Sequence, residues 1–324
     1  MRAVVVTNPG DSSVLQLKPM PKPQLKTGWS LVKVKGFGIN RSEIFTRKGL
    51  SPSVTFPRIL GIECVGVIEE TTDATVLPVG KKVVSIMGEM GREFDGSYAE
   101  YVLLPNNQIY PIETEFDWGT LATIPETYYT AYLALLSLQI NPNDTVLVRG
   151  ATSGVGVAFA QLLKAKFADM TLVGSTRSLS KKERLCQAGF DQVIVENDGI
   201  LQTDKNFDKV LELIGPKTIL DSLKHTKDYG IVCSAGQLGG QWFLEDFDPI
   251  MALQGNRYLT TAYSGRVSQK SLQDLFDYIK RYDIAIKPEK IYRLEQVGQA
   301  HLRMETTNSF GKNIVLMEAN DEGS

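Results

Sequence analysis

A turn of small residues between two apolar segments is the part of this 324-residue sequence whose residue types most directly predict chemistry. An apolar run at 146–148 leads into small residues at 150–156, an amphipathic segment at 157–167 and a second apolar run at 170–173. This order predicts a strand, a tight turn, a helix and a second strand. Backbone N–H groups at such a helix start bind a pyrophosphate, because the helix dipole favours anions there and small side chains let the phosphate approach. The residues expected to make these contacts are Ser153, Gly154 and Val155.

The glycine pattern of this turn departs from the usual G-x-G-x-x-G. Ala151 and Ser153 stand at the first two glycine positions, Gly154 is an additional glycine, and only Gly156 keeps its place. A strand–helix turn without a ligand, followed by a solvated arginine, is therefore an alternative interpretation.

The end of the second apolar run favours a cofactor with a 2′-phosphate. The run continues as Gly174, Ser175, Thr176 and Arg177, without an acid. An Asp or Glu at this place binds the ribose 2′-hydroxyl of NAD, whereas an Arg suits the 2′-phosphate of NADP. Hydroxyls and a guanidinium bind a phosphate that a carboxylate would repel. The sequence therefore predicts NADPH as the cofactor.

Composition and charge limit the class of protein. With 43% apolar and 22% charged residues, the chain has a globular composition, and its length suits about two domains. A net charge of −2 argues against nucleic acid or an anionic membrane as the main partner. The apolar runs are shorter than a membrane span and no signal-peptide pattern is seen, so we expect a cytoplasmic protein. The cysteines, Cys64, Cys186 and Cys233, are too few for a disulfide framework or a four-thiolate zinc site.

The pattern of apolar residues changes twice along the chain. Short apolar or alternating runs up to residue 115 predict a β-rich segment. Strands and helices then alternate from about 120 to 260, which predicts an α/β domain with a doubly wound parallel sheet. We therefore expect a β-rich domain at 1–117, a cofactor domain at 118–259 and a return to the first domain at 260–324, because the simplest arrangement joins the two flanking segments as one discontinuous domain.

Ligands of a doubly wound sheet bind at the carboxyl ends of its parallel strands. This rule adds three predicted cofactor contacts, which are Leu213, Gly236 and Gln237. Within the same domain, Ser180 and Glu183 match a capping box that would begin one helix, and Pro216 is placed to begin another.

Over its whole length the chain resembles the medium-chain dehydrogenase/reductase superfamily, and within it the zinc-free NADPH:quinone oxidoreductase branch. The matching stretches are GINRSE at 38–43, GIECVG at 61–66, DGSYAEY at 95–101, TA at 130–131, ATSGVG at 151–156 and GK at 311–312. The resemblance implies a Rossmann domain that binds NADPH and a GroES-like β-rich substrate domain built from both ends of the chain. It also implies a homodimer.

The resemblance also argues against a catalytic zinc. Zinc-dependent alcohol dehydrogenases have a Cys where this chain has Asn40 and a His where it has Ile62, and catalytic zinc needs three protein ligands. The two histidines, His225 and His301, lie on predicted helices, where we expect surface or partly buried structural roles. Lys312 has two open interpretations. It reaches a cofactor phosphate or the active-site cleft, or it is a solvated lysine at the start of a strand. Without a metal to stabilise an alkoxide, reduction of an activated acceptor is favoured over alcohol oxidation.

Three residues are candidates for contact with the reacting groups. By resemblance, Asn40 lies beside the nicotinamide and donates a hydrogen bond to the ribose or to a developing enolate oxygen, although a strand-ending turn would also explain it. Thr130 resembles the threonine under the nicotinamide, with a hydroxyl bonded to its own helix as the alternative. Related reductases have a Tyr near Phe45 or Ser51, which this chain lacks, so Tyr128 is the substitute candidate for a proton donor, with packing as its alternative role.

The leading functional hypothesis is therefore a zinc-independent, NADPH-dependent reductase of quinones or α,β-unsaturated carbonyls, with a small electrophilic molecule as its substrate. Two alternatives stay open. One is a 2-enoyl thioester reductase, and the other is a non-catalytic protein that binds NADPH as a redox sensor.

Overall fold

The computed structural model describes residues 1–306 and 309–317. These residues form two compact units. The first contains Met1–Glu126, Gly265–Asp274 and the described residues from Ala285 onward, and the second contains Thr127–Ser264 and Leu275–Ile284. Residues 307–308 and 318–324 of the predicted last segment lie outside the described residues.

The strands, in chain order, are Arg2–Val6 (β1), Leu15–Pro19 (β2), Trp29–Gly38 (β3), Arg58–Ile59 (β4), Glu63–Glu70 (β5), Lys82–Ile86 (β6), Tyr101–Pro105 (β7), Tyr110–Pro111 (β8), Val146–Arg149 (β9), Leu172–Thr176 (β10), Gln192–Asn197 (β11), Ile200–Leu201 (β12), Phe207–Glu212 (β13), Thr226–Ser234 (β14), Tyr258–Thr261 (β15), Lys290–Tyr292 (β16) and Asn313–Leu316 (β17). The α-helices are Arg41–Arg47 (α1), Trp118–Thr123 (α2), Pro125–Ser137 (α3), Gly154–Lys166 (α4), Lys182–Gln187 (α5), Ile219–Lys224 (α6), Pro249–Ala252 (α7), Gln269–Arg281 (α8) and Val297–Glu305 (α9).

The first unit is built on two sheets. The smaller has the strand order β2-β1-β4, and the larger has the order β16-β17-β3-β5-β6-β8, with β7 also paired to β3. Strand β17 pairs antiparallel with β3, so the last described strand completes a sheet begun near the start of the chain. Residues of these strands bury a core that includes Val32, Phe37 and Val315, and Tyr98, which precedes β7, belongs to the same core.

The second unit is built on one sheet with the strand order β12-β11-β10-β9-β13-β14-β15. Six of these strands are parallel, and only β12 at one edge is antiparallel. In chain order the parallel strands have the arrangement 3-2-1-4-5-6, which is the order of the doubly wound Rossmann sheet. The predicted fold class of this region is therefore confirmed. Its β-branched and aliphatic strands bury a core that includes Leu147, Val173, Val210 and Val232.

Local helix starts differ from two sequence predictions. Ser178, not Ser180, caps the segment before α5, and a 3-10 turn at Leu179–Lys181 precedes that helix. Pro216 does not open α6, which begins three residues later at Ile219. Helices α5 and α6 have only six residues each, too few for apolar periodicity to show where a helix begins. Among the described helices, none is long and apolar enough to cross a membrane.

Candidate active site

The predicted phosphate-binding turn lies between β9 and α4. Gly150 follows the strand with a φ of 77°, a left-handed conformation that a side chain would disfavour. Ser153 caps the helix, because its hydroxyl accepts a hydrogen bond from the Gly156 N–H at 3.1 Å. A Cβ on Gly156 would lie 2.7 Å from the Ala151 carbonyl oxygen, so only glycine lets the helix approach the turn this closely.

The helix start leaves Ser153, Gly154 and Val155 half-buried. The first N–H groups of a helix have no partner within the helix, and its dipole adds positive charge at the same end. With 13 residues, α4 is long enough for that dipole to develop. The turn therefore has the backbone geometry that a pyrophosphate requires.

The four residues predicted to contact the cofactor at the end of β10 differ in how far they are exposed. Gly174 is buried, and a Cβ on it would lie 2.9 Å from the Ala151 Cβ. The Ser175 hydroxyl is also buried and donates to a Glu196 carboxylate oxygen at 2.8 Å. Thr176 is half-buried and Arg177 is exposed. The prediction that the Ser175 hydroxyl binds the 2′-phosphate is corrected, because this hydroxyl donates to Glu196 inside the protein. The Thr176 hydroxyl donates to the Ser178 carbonyl at 3.2 Å, and the Arg177 side chain is exposed.

The segments that follow β13 and β14 pack backbone against backbone. Leu213 is buried, and Gly215 has a φ of 93°. A Cβ on Gly215 would lie 2.7 Å from the Gly236 carbonyl oxygen, and a Cβ on Gly236 would lie 2.6 Å from the Leu213 carbonyl oxygen. Gly236 is half-buried and Gln237 is exposed. Glycines at both places therefore bring the two predicted cofactor loops together at the carboxyl ends of neighbouring strands.

A buried cluster of polar side chains surrounds Asn40 in the first unit. The Lys312 ammonium donates to the Asn40 carbonyl oxygen at 2.6 Å and to Glu63 Oε1 at 2.6 Å. The Asn40 amide nitrogen donates to the same Glu63 oxygen at 2.7 Å and lies 3.4 Å from Glu43 Oε1. Asn40 also begins α1, and its backbone N–H donates to Glu43 at 3.0 Å. These contacts determine which end of the Asn40 amide carries the oxygen.

This arrangement corrects the predicted role of Asn40 as a donor. Its carbonyl accepts from Lys312, and its two amide hydrogens face Glu63 and Glu43, so the carboxylates already engage them. An ammonium has three hydrogens, and within the described part of the chain Lys312 uses two of them. Lys312 therefore has one hydrogen left to donate.

The solvated alternative for Lys312 is wrong, since the residue is buried. Gly38 makes room for it. A Cβ on Gly38 would lie 2.2 Å from Lys312 Cε and 2.3 Å from Glu63 Oε1. The GK pair at 311–312 and Gly38 were visible in the sequence, but no spacing rule connects them.

Burial sets the charge of the cluster. It raises the pKa of Glu43 to about 8, although the nearby Lys312 ammonium opposes the rise. Glu63 is buried too, and its second oxygen accepts from the Glu126 N–H at 2.8 Å. The Lys312 ammonium therefore lies beside the Glu63 carboxylate, whose oxygens all accept hydrogen bonds, and near the Glu43 carboxyl group, which favours its protonated form near neutral pH.

These residues do not fit a catalytic zinc. The Glu63 oxygens are engaged by an ammonium, an amide and a backbone N–H, and the ammonium would repel a metal cation. In residues 1–306 and 309–317, no group of three or more His, Cys, Asp and Glu side chains could hold a metal ion. The cluster around Asn40 therefore does not offer the ligands of a catalytic zinc.

Helix α3 carries the two remaining candidates. Tyr128 is buried, its hydroxyl donates to the Gln161 side chain of α4, and burial raises the pKa of the phenol well above its usual value. The structure therefore gives Tyr128 a packing role, which is at odds with its predicted role as a proton donor. Thr130 is buried on the same helix.

His301 is more deeply buried than predicted. Its Nε2 lies 2.9 Å from the Tyr98 hydroxyl, and its Nδ1 lies 3.4 Å from an Arg47 nitrogen that can only donate. Burial, helped by the Arg47 charge, lowers the pKa of His301 to about 3. It is therefore a neutral core residue rather than a surface group.

Comparison with known protein families assigns both parts of the chain. The model described as alcohol dehydrogenase GroES-like domain matches residues 26–114, and the model described as zinc-binding dehydrogenase matches residues 188–315. The first unit thus has the predicted GroES-like domain, and the fold is the Rossmann plus GroES-like combination.

Two curated relatives cover most of the chain. The synaptic vesicle membrane protein VAT-1 homolog of Danio rerio is 31% identical over 349 residues, which cover 98% of this chain and 70% of that protein. The quinone oxidoreductase of Homo sapiens is 29% identical over 252 residues, which cover 74% of this chain and 72% of that protein.

Solved structures share the fold. The quinone oxidoreductase from Coxiella burnetii superimposes with a TM-score of 0.82 at 23% identity, covering 98% of this chain and 99% of that one. Mycobacterial Rv1454c, solved in complex with NADPH, has a TM-score of 0.82 at 24% identity, covering 98% and 100%. From its relatives and its fold, this chain belongs to the medium-chain dehydrogenase/reductase superfamily and is an oxidoreductase of the type that includes quinone oxidoreductase and VAT-1.

Proposed function

We propose that this protein is a zinc-independent, NADPH-dependent reductase that transfers hydride to quinones or α,β-unsaturated carbonyls. The observation that carries the cofactor choice is the end of β10. There Thr176 is the last residue of the strand, the exposed Arg177 follows it, and neither is a carboxylate. A 2′-phosphate would gain charge-assisted hydrogen bonds at this place, whereas a ribose 2′-hydroxyl would lack its usual acidic partner.

NADPH, when bound, supplies the hydride. The Ser153 N–H donates to the Gly150 carbonyl at 3.0 Å. The N–H groups of Gly154 and Val155 would therefore hold the pyrophosphate, and Arg177, beside Thr176, would hold the 2′-phosphate. Leu213, Gly236 and Gln237 would line the dinucleotide, and Thr130 would lie under the nicotinamide. These contacts position the cofactor, and positioning is the main contribution a protein makes to hydride transfer.

The acceptor oxygen gains negative charge as hydride arrives, and the Asn40 cluster offers a group to stabilise it. Lys312 is held by Asn40 and Glu63 at 2.6 Å each, so its third N–H has a defined direction. A buried ammonium stabilises a developing oxyanion more strongly than water does, because the surroundings screen the charge less. In this proposal Lys312 donates to the oxygen and Asn40 orients Lys312.

The substrate class follows from the same residues. Without zinc, an unactivated alcohol lacks the Lewis acid that stabilises its alkoxide. In a quinone or enone, hydride adds to the acceptor, a hydrogen-bond donor stabilises the oxyanion that forms, and water supplies the proton that completes the reduction. The relatives support this substrate class, because about three quarters of the chain aligns with proteins named quinone oxidoreductase.

The proposal extends to assembly and location. Strand β15 is an edge strand of the second sheet, and Tyr258 on it is 56% exposed. Phe243 and Ile250, in the segment before it, are 76% and 84% exposed. A homodimer formed at this edge would cover unpaired backbone groups and apolar surface together. Sedimentation velocity of the purified protein tests the homodimer. We also propose a cytoplasmic location, which cell fractionation tests.

One assay tests the reaction. The purified protein is mixed with NADPH or NADH and, in turn, 1,2-naphthoquinone, an alkyl enone and crotonyl-CoA, and oxidation is followed at the nicotinamide absorbance. Turnover of the quinone or enone with NADPH, insensitive to a zinc chelator, is expected. Turnover of crotonyl-CoA alone would identify a 2-enoyl thioester reductase. Tight NADPH binding without any oxidation would identify a non-catalytic NADPH-binding protein.

A further inference from the structure

Arg149 is the last residue of β9 and directly precedes the phosphate-binding turn. Its side chain is completely buried, with 0% exposure. A buried guanidinium is costly unless charged and polar partners surround it. Here it donates to Glu196 at 3.2 Å and to Asp221 at 2.7 Å, and it lies 3.9 Å from a Glu212 oxygen. One cation therefore meets three carboxylates.

The Glu196 branch leads to the end of β10. The Glu196 oxygen that accepts from Arg149 Nη2 and Nε also accepts from the Ser175 hydroxyl at 2.8 Å. Ser175 is followed directly by Thr176 and then by Arg177, the residue proposed to hold the 2′-phosphate. Arg149 thus acts, through one shared oxygen, on the strand end that carries this phosphate ligand.

The Glu212 branch leads to the loop after β13. Glu212 Oε1 accepts from the N–H groups of Ile214 at 2.7 Å and Gly215 at 3.1 Å. Gly215 in turn packs against the Gly236 backbone. The other Glu212 oxygen faces Arg149, so the same guanidinium acts on a second predicted cofactor segment.

The Asp221 branch differs from the other two. Asp221 accepts from Arg149 and from the Leu201 N–H at 3.1 Å, and neither Leu201 nor α6 belongs to the predicted cofactor contacts. It is about as buried as Glu196, with 7% and 6% exposure. Asp221 therefore offers a matched control within the same network.

We propose that Arg149 is a positioning residue for the cofactor, because it joins the phosphate-binding turn, the end of β10 and the loop after β13 through one buried guanidinium. The inference rests on the proposed binding of NADPH. Arg149 touches no part of the cofactor itself. It holds three separate backbone segments in one register, so that all of them meet a single dinucleotide.

Three substitutions that each remove one carboxylate test this role. Glu196→Met, Glu212→Met and Asp221→Leu all leave Arg149 with two acidic partners, so each is expected to fold. The dissociation constants of NADPH and of NADH are measured for each by nicotinamide fluorescence, together with the Tm. The ratio of the two constants is the readout that a purely structural role would not change.

Each branch predicts its own result. Glu196→Met should raise the Kd for NADPH by about tenfold and the Kd for NADH much less, since Arg149 and the Ser175 hydroxyl lose their shared acceptor and the strand end that carries Arg177 is no longer held. Glu212→Met should raise both constants by the same factor, because the loop after β13 meets the part common to both cofactors. Asp221→Leu should lower the Tm without changing the ratio.

The direct variant is Arg149→Lys, which keeps the charge but cannot reach Glu196 and Asp221 with one planar fork. It should raise both constants. If Glu196→Met and Asp221→Leu have the same NADPH-to-NADH ratio as the wild type, Arg149 is structural only and the inference is overturned. A wild-type protein that binds neither cofactor would instead overturn the proposed function.

Discussion

The Lys312 ammonium and the Asn40 side-chain oxygen lie 2.6 Å apart, although 272 residues separate them in the chain. Gly38 provides the space, because any side chain there would occupy the position of the lysine. Glu63 completes the pair as an acceptor for both residues. The first unit therefore holds a buried ammonium in a fixed position beside Asn40 and Glu63.

Replacement of Lys312 by Met should lower kcat for quinone or enone reduction by about 10²-fold or more, the usual contribution of a positioned donor. The Kd for NADPH should change little, because Lys312 is proposed to contact the acceptor. Stopped-flow absorbance and fluorescence binding measure the two quantities. Lys312→Met/Glu63→Gln is made in parallel, so that no carboxylate is left buried without its cation.

Lys209→Met is the control for the loss of a buried lysine. Lys209 is buried on β13 and pairs with Asp144 at 3.8 Å. It should lower stability but not kcat. Equal losses of kcat in the two lysine variants would show that Lys312 has no special role in the reaction.

Removal of the Arg177 side chain should discriminate between the two nicotinamide cofactors. Arg177→Ala is expected to raise the Kd for NADPH by about 10- to 100-fold, as for the loss of a charged hydrogen bond, and to leave NADH nearly unchanged. Lys227→Ala removes the same charge at the amino end of β14, where no cofactor contact is expected, and should change neither constant. Equal losses for NADPH and NADH in Arg177→Ala would refute the phosphate assignment.

His301 should make the protein less stable in mild acid. Its pKa is about 3 in the fold, against 6.5 when unfolded, so only the unfolded chain takes up this proton between those values. The stability that the neutral ring contributes is present above pH 6.5 and is lost as the pH falls toward 3. The facing groups are Tyr98, Arg47 and, through Arg47, Glu305.

Urea unfolding at pH 7 and pH 5 measures this effect. The wild type should lose about 2 kcal/mol more than His301→Gln between these conditions, because a neutral glutamine has no proton to bind. Identical pH slopes for the two proteins would mean that His301 is not held neutral.

Glu43 should have the opposite effect of His301 on the pH dependence of stability. Its pKa is raised to about 8 in the fold from 4.5, so the folded protein holds a proton that the unfolded chain has lost. This contribution is complete below pH 4.5 and disappears as the pH rises through 8. Unfolding at pH 6 and pH 9 should show a smaller loss for Glu43→Gln than for the wild type, and a larger loss would contradict the assignment.

Much of the Rossmann unit was predictable because its signals are local. The apolar run before Gly150 and the one before Gly174 each read correctly as strands, and small residues between them marked the turn. Strand β15 and helix α1 were not predicted. Both are short, and α1 starts from a capping contact between Asn40 and Glu43 rather than from an apolar face.

Sequence alone determined the alternation of strands and helices in the second unit, the glycine turn, the absence of an acid at Arg177 and the absence of zinc-ligand residue types at Asn40 and Ile62. These features need only neighbouring residues to be recognised. Tertiary structure alone decided that Lys312 is buried against Asn40 and Glu63, that Tyr128 packs against α4, and that Arg149 joins three carboxylates. The physical reason is that buried charges need partners, and which partners they meet depends on strand register and chain closure over distances such as the 249 residues between Glu63 and Lys312.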